Sequence, residues 1–350
     1  MFENKERTDI EKLGEFGLIS HLTKAIVIKN DNTVKGVGDD AAVLDFSGKK
    51  TLISTDLLLE GVHFDLAYTP LKHLGYKAVQ VNLSDIYAMN GTASQVTFSI
   101  GLSSRFPLEA IEELYEGALI ACEKYKVDMV GGDTSTSRQG LVISVTSIGY
   151  ADESDICYRN GAGEGDLICV SGDLGAAYIG LQLLEREKRI FLENPKIQPD
   201  LEGKDYIVER QLKPEARKDM VELLASIGVK PTAMIDVSDG LSSDILHICR
   251  QSSKGCNLYE EKIPIDPMTY DTARNFGIDP TVCALSGGED YELLFTVKQS
   301  DYDKIKHNPD ISIIGHITEE SAGCNLVSKS GNVHELKAQG WNAFNKSASE

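Results

Sequence analysis

Short, mostly apolar runs that lead into aspartates beside glycines recur along the chain, and they constrain its fold more than any other feature. Such runs, bounded by turn residues, are typical of buried strands. Helix-like stretches such as residues 107–125 separate them, and this mixture predicts α/β or α+β layers. The runs are TLIST (51–55) before Asp56, VDMV (127–130) before Gly132 and Asp133, and AMI (233–235) before Asp236 and Asp239.

The length of 350 residues predicts two domains, because a domain averages roughly 150 residues. A polar, glycine-rich stretch, ADESDICYRNGAGEGD, begins at residue 151 and separates the two halves. We therefore predict an N-terminal α/β domain over residues 1–152 and a C-terminal α/β domain over residues 153–350.

Local signals predict where several elements begin. Thr8, with a glutamate three residues later, has capping-box spacing and predicts the start of a first helix. Thr69 and Pro70 predict the N-cap and the first position of a second helix, and Asp239 predicts the cap of a later one. The stretch 187–213, which contains two prolines, is predicted to be irregular.

The charge balance excludes several classes of partner. Fifty-four acidic against 35 basic residues give a net charge of −19, which repels nucleic acid and anionic membranes. The N-terminus, MFENKERTDIEK, is too charged for a signal peptide, and no apolar run approaches the roughly 18 residues of a membrane span. We expect a cytoplasmic protein with neither nucleic acid nor membrane as a partner.

The cysteine spacing predicts free thiols. The chain has seven cysteines and no CxxC pair, and the closest two, Cys249 and Cys256, lie seven residues apart. This spacing matches neither a zinc knuckle nor a thioredoxin-like motif. We therefore expect reduced thiols in a reducing cytoplasm.

The aspartates occupy positions where α/β proteins gather ligand-binding groups. Their hard oxygens suit Mg²⁺, which usually takes one or two carboxylates together with water and substrate phosphates, and neighbouring glycines let a phosphate approach the backbone. At any single position the alternative is ordinary turn chemistry. Their recurrence favours a magnesium and phosphate site. The aspartates are Asp39, Asp40, Asp56, Asp133, Asp236 and Asp239.

Asp85 is more informative than any aspartate beside a glycine. It follows Leu74, Ala78 and Val81 on the apolar stripe of the predicted second helix. A carboxylate buried there without a partner would cost several kcal/mol, on the order of the penalty for an unpaired buried polar group. Asp85 therefore faces either a metal or a dense hydrogen-bond network, with a satisfied core aspartate as the alternative.

Other candidates have a structural interpretation beside the functional one. Ser54 and Thr55 adjoin Asp56 and have oxygens that a metal could take. Arg159, next to GAGEG, could grip a phosphate bidentately or be a solvated loop charge.

A second group of candidates suits a substrate. His63 is either a ligand contact or a structural histidine. Glu289 and Asp290 in SGGED are either ligand contacts or turn residues. Trp341, the one tryptophan, is either a packing anchor or a stacking surface for a flat ligand.

Several common catalytic motifs are absent from the sequence. It contains no GxxxxGK[ST] P-loop, no HRD or DFG kinase set and no GxSxG elbow. Any nucleotide site must therefore be built differently.

Seven segments in order give the chain its family resemblance. It resembles the thiamine-monophosphate kinase family of the AIR-synthetase-like (PurM-like) ATP-binding superfamily. The segments are GVGDDAAVL (36–44), LISTDLLLEGVHF (52–64), KAVQVNLSDIYAMNG (77–91), VGGDTS (130–135), YRNGAGEGD (158–166), MIDVSDGLSSDILHI (234–248) and ALSGGEDYELLFTV (284–297).

The resemblance implies a PurM-like fold of two α/β domains, with the N-terminal sheet forming the interface of a homodimer and the C-terminal domain packing on it. It implies ATP as co-substrate, thiamine monophosphate as acceptor and several Mg²⁺ ions. The implied magnesium ligands are Asp40, Ser54 or Thr55, Asp56, Asp85, Asp133 and Asp239, with Asp236 nearby. The implied ATP contacts are Gly132, Asp133, Arg159 and Ser238, and the implied thiamine-phosphate contacts are His63, Glu289 and Trp341.

The implied reaction makes thiamine diphosphate and ADP. The acceptor oxygen is largely ionised near pH 7, because the second pKa of a phosphate monoester is about 6, so we expect no residue to act as a general base. The main obstacle is repulsion between two phosphate groups, which several Mg²⁺ ions held by aspartates would reduce. We predict direct in-line transfer without a phosphoenzyme.

Two alternatives stay open. The first is another enzyme of the superfamily, but the characteristic segments of AIR synthetases differ from SGGEDYEL. Selenophosphate synthetases use a reactive Cys or selenocysteine near the N-terminus, and residues 1–35 contain no Cys. The second is a non-enzymatic acidic metal-binding protein, although DVSDG lacks the EF-hand spacing.

Overall fold

The fold is built on two β-sheets, which the computed structural model describes over residues 33–35, 39–45, 48–103 and 106–338. The first sheet has the strand order β1-β2-β3-β7-β4-β5, with β6 also paired to β4. Its central strand β7 is antiparallel to both neighbours, β3 and β4. The strands are β1 (Thr33–Lys35), β2 (Ala42–Asp45), β3 (Lys50–Leu59), β4 (Thr92–Leu102), β5 (Asp128–Gly131), β6 (Thr134–Thr136) and β7 (Val142–Ala151).

Two helices, α1 (Leu71–Ala88) and α2 (Leu108–Tyr125), cover one face of this sheet. Alternation along β4 turns Val96, Phe98 and Ile100 inward, and these side chains share one core with both helices. Because α1 is buried by the sheet, by α2 and by the second half of the chain, four of its polar residues are buried as well: Lys77, Gln80, Asn82 and Ser84.

The second sheet has the order β14-β13-β10-β12-β8-β11-β9. Alternate residues of β11 pack into two different cores, so helices cover both faces of its centre. The strands are β8 (Leu167–Ser171), β9 (Ala233–Asp236), β10 (Lys254–Tyr259), β11 (Leu293–Val297), β12 (Ile311–Glu319), β13 (Cys324–Val327) and β14 (Val333–Glu335). The helices are α3 (Ala176–Glu193), α4 (Asp205–Leu212), α5 (Lys218–Ser226), α6 (Leu241–Ser252), α7 (Pro267–Asn275), α8 (Pro280–Ser286) and α9 (Tyr302–Ile305).

The predicted class, α/β (α+β) with two sheets and helical layers, is confirmed. The first sheet uses strands between residues 33 and 151 and the second uses strands between residues 167 and 335. The domain boundary between residues 152 and 153 stays a prediction. None of the helices in the described ranges combines the length and apolar character that crossing a bilayer requires.

Several local predictions are wrong, and packing explains them. Strand β3 does not end at Asp56 but continues to Leu59, because it pairs with β7 along its whole length. Helix α1 begins one residue later than predicted, with Pro70 as its N-cap and no side-chain cap. Gly240, not Asp239, is the N-cap of α6. The helix predicted near Thr8 lies outside the described residues.

The stretch 187–213 was predicted to be irregular, but it contains the end of α3 and all of α4. Helix α4 has eight residues and buries Ile207 and Leu212. It packs closely on α3, where a Cβ atom at Gly180 would lie 2.0 Å from the Ile207 carbonyl oxygen. So short an apolar pattern is difficult to recognise, and contact with α3 stabilises the helix.

Candidate functional site

A cavity of about 140 Å³ lies where α1 and β3 meet the loops that follow β9 and precede β11. It lies between the two halves of the chain, a common position for ligand sites. Six of its lining residues were predicted from the sequence as site residues. The lining residues are Asp56, Leu57, Leu58, His63, Lys77, Val81, Asp85, Asp236, Ser238, Glu289 and Tyr291.

Three carboxylates converge beside this cavity from distant parts of the sequence. Asp40 precedes β2, Asp85 lies on α1 and Asp236 ends β9, and one oxygen atom of each lies within 4.8 Å of the others. Two hydroxyls hold the group in place. Ser54 donates a hydrogen bond from Oγ to Asp85 Oδ2, and Ser84 donates to Asp236 Oδ2 at 2.7 Å. We call Asp40, Asp85 and Asp236 the carboxylate cluster.

Burial and repulsion between carboxylates raise the pKa values of two members of this cluster, Asp85 and Asp236. Burial, followed by the charge of Asp40, raises the pKa of Asp236 to about 8. Burial also raises the pKa of the adjacent Asp56 to about 6. For Asp85, burial and then the charges of Asp56 and Asp236 raise the pKa well above its ordinary value. A cation bound at this cluster would remove the repulsion, since an opposite charge favours the ionised form.

Arg159 provides a positive charge at the cluster, but its guanidinium already pairs with Asp40 and Asp39. Its Nε donates to Asp40 Oδ2 at 2.9 Å and its Nη2 donates to Asp40 Oδ1. Its Nε also lies 3.5 Å from Asp39 Oδ1. Burial, followed by repulsion from Asp40, raises the pKa of Asp39 to about 6. Arg159 therefore compensates buried carboxylates and does not line the cavity, so its predicted grip on a phosphate stays a prediction.

Lys77 is a site residue that the sequence reasoning missed. Its side chain is buried, its Nζ lies 2.9 Å from Glu289 Oε1, and it donates to the Gln211 carbonyl oxygen at 3.1 Å. Lys77, Val81 and Asp85 are spaced four residues apart, so they share one face of α1 and all line the cavity. That spacing was the signal that could have identified Lys77.

Glu289 reaches the cavity from a strained loop. Glu289 and Tyr291 have positive φ angles of 58° and 52°, an unfavourable region for residues with side chains. Their N–H groups donate to the carbonyl oxygens of Ser238 at 2.8 Å and Val237 at 2.9 Å. These bonds hold the loop against the end of β9, and Gln211 Nε2 donates to Glu289 Oε2 at 2.8 Å. Two loops of the second sheet thus present Ser238 and Glu289 together.

Asp290, the other acidic residue of this loop, has a structural role. Its carboxylate accepts hydrogen bonds from the N–H groups of Gly175 at 2.8 Å and Ala177 at 3.4 Å. These groups lie at the N-terminus of α3, where a negative charge is favourable. The sequence left two interpretations of Glu289 and Asp290 open, and the structure separates them: Glu289 lines the cavity and Asp290 caps a helix.

His63 lines the cavity wall, and its tautomer is set by the backbone. The N–H of Leu59 donates to His63 Nδ1 at 3.0 Å. A neutral ring that accepts at Nδ1 carries its proton on Nε2. In that tautomer the Nε2–H group is the hydrogen-bond donor of the ring.

The structure does not bring every predicted residue to the cavity. Thr55 lies on the opposite face of β3 from Ser54, where its hydroxyl donates to the Val145 carbonyl oxygen at 3.0 Å, so the two do not reach one metal. Asp133 is exposed, and neither it nor Asp239 lines the cavity. Trp341 lies outside the described residues.

Two further features near the predicted residues are informative. A Cβ atom at Gly132 would lie 1.9 Å from the Phe98 carbonyl oxygen, so this glycine allows the backbone to pack against β4.

Asp244 on α6 was not predicted. It is buried, and within the described residues its Oδ2 has no hydrogen-bond partner. Burial, then the charges of Asp239 and Asp236, raise the pKa of Asp244 well above its ordinary value, so this carboxyl holds its proton more tightly than usual.

The donor set fits Mg²⁺. Asp40, Asp85 and Asp236 present hard oxygens that are already within 4.8 Å of one another, and Mg²⁺ prefers oxygen ligands at about 2.0–2.1 Å. The raised pKa values of Asp236 and Asp85, and the Oδ2 atom of Asp244 that has no hydrogen-bond partner among the described residues, also indicate that a bound cation would stabilise these carboxylates. These residues can hold a divalent cation, and the cavity beside them can hold a ligand.

Two family descriptions match the chain in sequence order. "AIR synthase related protein, N-terminal domain" matches residues 38–151, and "AIR synthase related protein, C-terminal domain" matches residues 163–324. The first match contains Asp40, Asp56 and Asp85, and the second contains Asp236 and Glu289. The site therefore draws on both matched regions.

Named relatives resemble the chain over nearly its whole length. A thiamine-monophosphate kinase of Aquifex aeolicus (strain VF5) is 35% identical over 337 residues, which cover 96% of this chain and 99% of the relative. A thiamine-monophosphate kinase of Bacillus subtilis (strain 168) is 31% identical over 342 residues, covering 95% of this chain and 100% of the relative.

Solved structures show the same likeness in three dimensions. One described as "AaThiL complexed with AMPPCP and TMP" is 32% identical, has a TM-score of 0.81, and covers 97% of this chain and 100% of that chain. The hydrogenase maturation protein HypE in complex with ATP has a TM-score of 0.67 over 95% of this chain and 98% of its own, at 18% identity, so it shows likeness of fold alone.

Proposed function

The chain belongs to the thiamine-monophosphate kinase family, and we propose that it transfers the terminal phosphoryl group of ATP to thiamine monophosphate in the cavity beside the carboxylate cluster. It is a phosphotransferase whose acceptor is a phosphate group, acting in thiamine biosynthesis. One structural observation carries the assignment of the site. Three carboxylates converge within 4.8 Å beside a cavity that is also lined by Lys77, His63 and Glu289.

The reaction exchanges one P–O bond for another. A phosphate oxygen of thiamine monophosphate attacks the γ-phosphorus of ATP, the bond from that phosphorus to the β,γ-bridging oxygen breaks, and ADP leaves. With a second pKa of about 6, the attacking phosphate is largely ionised at pH 7, so no side chain has to remove a proton. The protein mainly positions the two phosphates and reduces their repulsion.

The carboxylate cluster is the proposed magnesium site. Asp40, Asp85 and Asp236 would hold the ion directly, with Ser54 and Asp56 beside them. Bound Mg²⁺ would neutralise phosphate charge during transfer. The hydroxyl of Ser84 keeps Asp236 oriented, and the guanidinium of Arg159 holds Asp40 in place. Asp133 and Asp239 stay predicted ligands for further ions.

The part of the cavity wall formed by Glu289 and His63 is the proposed acceptor end. Glu289 is fixed by Lys77 and Gln211, and its negative charge suits the cationic thiazolium ring of thiamine. The Nε2–H of His63 suits a phosphate or hydroxyl acceptor. The nucleotide end is proposed near Ser238, which lines the cavity. The nucleotide contacts at Gly132, Asp133 and Arg159 and the substrate contact at Trp341 stay predictions.

The enzyme is also proposed to act as a cytoplasmic homodimer joined by its first sheets. Support for the dimer comes from the face of β7 that points away from α1. Along that strand Ser144, Thr146 and Ile148 are partly exposed, whereas Val145 and Ser147 between them are buried. Strands with one uncovered face can pair sheet to sheet.

A substrate panel with coupled ADP detection tests the proposed function. We expect Mg²⁺-dependent ADP release with thiamine monophosphate, and none with formylglycinamidine ribotide or with no acceptor. The product should be one phosphate heavier than the acceptor by mass spectrometry. ADP release with formylglycinamidine ribotide and not with thiamine monophosphate would favour an AIR synthetase. Magnesium binding with no turnover on any acceptor would favour a non-enzymatic metal-binding protein.

The pH dependence of stability tests the proposed magnesium site. Asp56 and Asp236 have pKa values raised from 3.8 to about 6 and about 8. Their protonated forms stabilise the metal-free protein at low pH, and this stability is lost as the pH rises through those values. We therefore expect the Tm of the metal-free protein to fall between about pH 5 and pH 9.

Magnesium should reverse this trend, because it competes with protons for the same oxygens. We expect the Mg²⁺-induced rise in Tm to be larger near pH 8.5 than near pH 5.5, measured by calorimetry at constant ionic strength. The Asp236→Asn variant should show a flatter pH profile between pH 6 and 9. An equal Mg²⁺ effect at both pH values would contradict the site.

A further inference from the structure

A second group of potential metal ligands lies in the second sheet, apart from the carboxylate cluster. The Sγ atoms of Cys249, Cys256 and Cys324 all lie within 4.8 Å of one another. We propose that these three thiols form a binding site for a thiophilic d¹⁰ cation, Zn²⁺ or Cu⁺. We call them the thiol cluster.

Three different elements bring these thiols together. Cys249 lies on α6, Cys256 on β10 and Cys324 on β13. Cys256 and Cys324 are directly paired in the parallel ladder between β10 and β13, so their side chains point to the same face. Helix α6 packs on that face and adds Cys249 to the same core as Cys256. The other four cysteines, all within the described residues, do not join such a group.

The spacing of the sulfurs is close to what a metal requires. With metal–sulfur bonds of about 2.3 Å, a tetrahedral or trigonal site places its sulfurs roughly 3.8–4.0 Å apart. Sulfurs that already lie within 4.8 Å of one another therefore need to move by about 1 Å or less to reach that spacing. No disulfide joins the thiols, so each sulfur is available as a ligand.

The sulfur donors and their burial favour a soft cation at the thiol cluster. Cys249 and Cys256 are buried in apolar surroundings, whereas Cys324 is partly exposed. The partly exposed sulfur of Cys324 is the one that a cation from solvent can reach first. Thiolates prefer soft cations, while Mg²⁺ prefers oxygen. The partly open side at Cys324 leaves room for a water molecule as fourth ligand of Zn²⁺.

A bound cation would fasten α6 to the sheet. Asp244 near the start of this helix lies behind Asp236 of the carboxylate cluster, and Cys249 follows five residues later on the same helix. Metal at the thiol cluster would therefore stiffen the element that supports one wall of the proposed active site. The expected consequences are a higher Tm and slower amide exchange in α6.

Metal titration of the reduced full-length chain tests this proposal. The experiment uses anaerobic protein with excess Mg²⁺, so that the carboxylates are occupied by a hard ion. Cd²⁺ serves as the spectroscopic substitute for Zn²⁺, and Cu⁺ is titrated separately against a copper-specific chelator. We expect one ion per chain with a thiolate-to-metal charge-transfer band, which carboxylate binding does not produce. Competition between Zn²⁺ and Cu⁺ then identifies the preferred cation.

Matched cysteine variants show whether the signal comes from the thiol cluster. Cys256→Ser and Cys324→Ser should each weaken binding by more than roughly 100-fold, since loss of an outer-shell partner alone costs 10–100-fold. Cys283→Ser, at a buried cysteine of α8 outside the cluster, should bind like the unchanged chain. Absence of the band with both cations, or an equal band in Cys324→Ser, would overturn the proposal. These readouts do not depend on kinase turnover.

Discussion

Replacing Asp85 by Asn is expected to lower kcat/KM with thiamine monophosphate by about 10³-fold and to raise the Tm of the metal-free protein. The loss follows because Asp85 is the one member of the carboxylate cluster on α1, and removal of a group that stabilises developing charge costs about 10²–10³-fold. The gain in Tm follows because Asp56 and Asp236 repel the buried Asp85. Asn has nearly the same shape, and its carbonyl oxygen can still accept from Ser54.

The opposite signs make this a demanding test. A merely structural role for Asp85 would lower activity and stability together, whereas a metal ligand should lower activity and increase metal-free stability. Steady-state kinetics and thermal melts with and without Mg²⁺ measure both effects. Asp271→Asn, at an exposed position of α7, is the matched control and should change neither. Full activity in Asp85→Asn would contradict the magnesium assignment.

Asp85 could be singled out from the sequence because its signal is local. A carboxylate on the apolar stripe of a helix can be recognised from spacing alone, since i and i+4 residues share a face. Lys77 lies two turns earlier on that face, so the same spacing could have identified it. A buried lysine, however, is recognised as functional only when its partner is known. That partner, Glu289, lies 212 residues away in the sequence.

Other features of the site could not be predicted from the sequence, because the residues that pair in them are far apart along the chain. The choice between Ser54 and Thr55 depends on which face of β3 packs on α1, and only the register with β7 decides it. Arg159 was predicted as a phosphate contact because its neighbours are glycines, but its carboxylate partners lie 119 and 120 residues earlier. The thiol cluster was missed for the same reason, since Cys324 reaches Cys256 through strand pairing.

The candidate site combines features that oppose stability. The carboxylate cluster repels itself, and two non-glycine residues of the loop that presents Glu289 have positive φ angles. Proteins commonly keep such strain where function requires it, and the surrounding structure compensates. Arg159 is the clearest compensating residue, because it pairs with two of the buried carboxylates.

Replacing Arg159 by Met is therefore expected to destabilise the protein by about 3–5 kcal/mol, the usual cost of leaving a buried charge unpaired. Met retains most of the apolar contact of the arginine stem, so the loss reports charge and not volume. Urea denaturation at pH 7.5 without Mg²⁺ measures the free energy of unfolding. Arg274→Met, at an exposed position of α7, is the matched control and should remain within about 0.5 kcal/mol of the unchanged chain.

The double variant Arg159→Met/Asp40→Asn separates pairing from general damage. If Arg159 stabilises the fold by compensating Asp40, removing that carboxylate should recover part of the loss, because Asp39 then no longer faces a second unpaired charge. Such a recovery is a coupling between contacting residues, and a cycle of the two single variants and the double variant measures it. A loss below about 1 kcal/mol in Arg159→Met, the value typical of exposed ion pairs, would show that solvent already screens this pair. It would also mean that Arg159 is free to turn toward a phosphate.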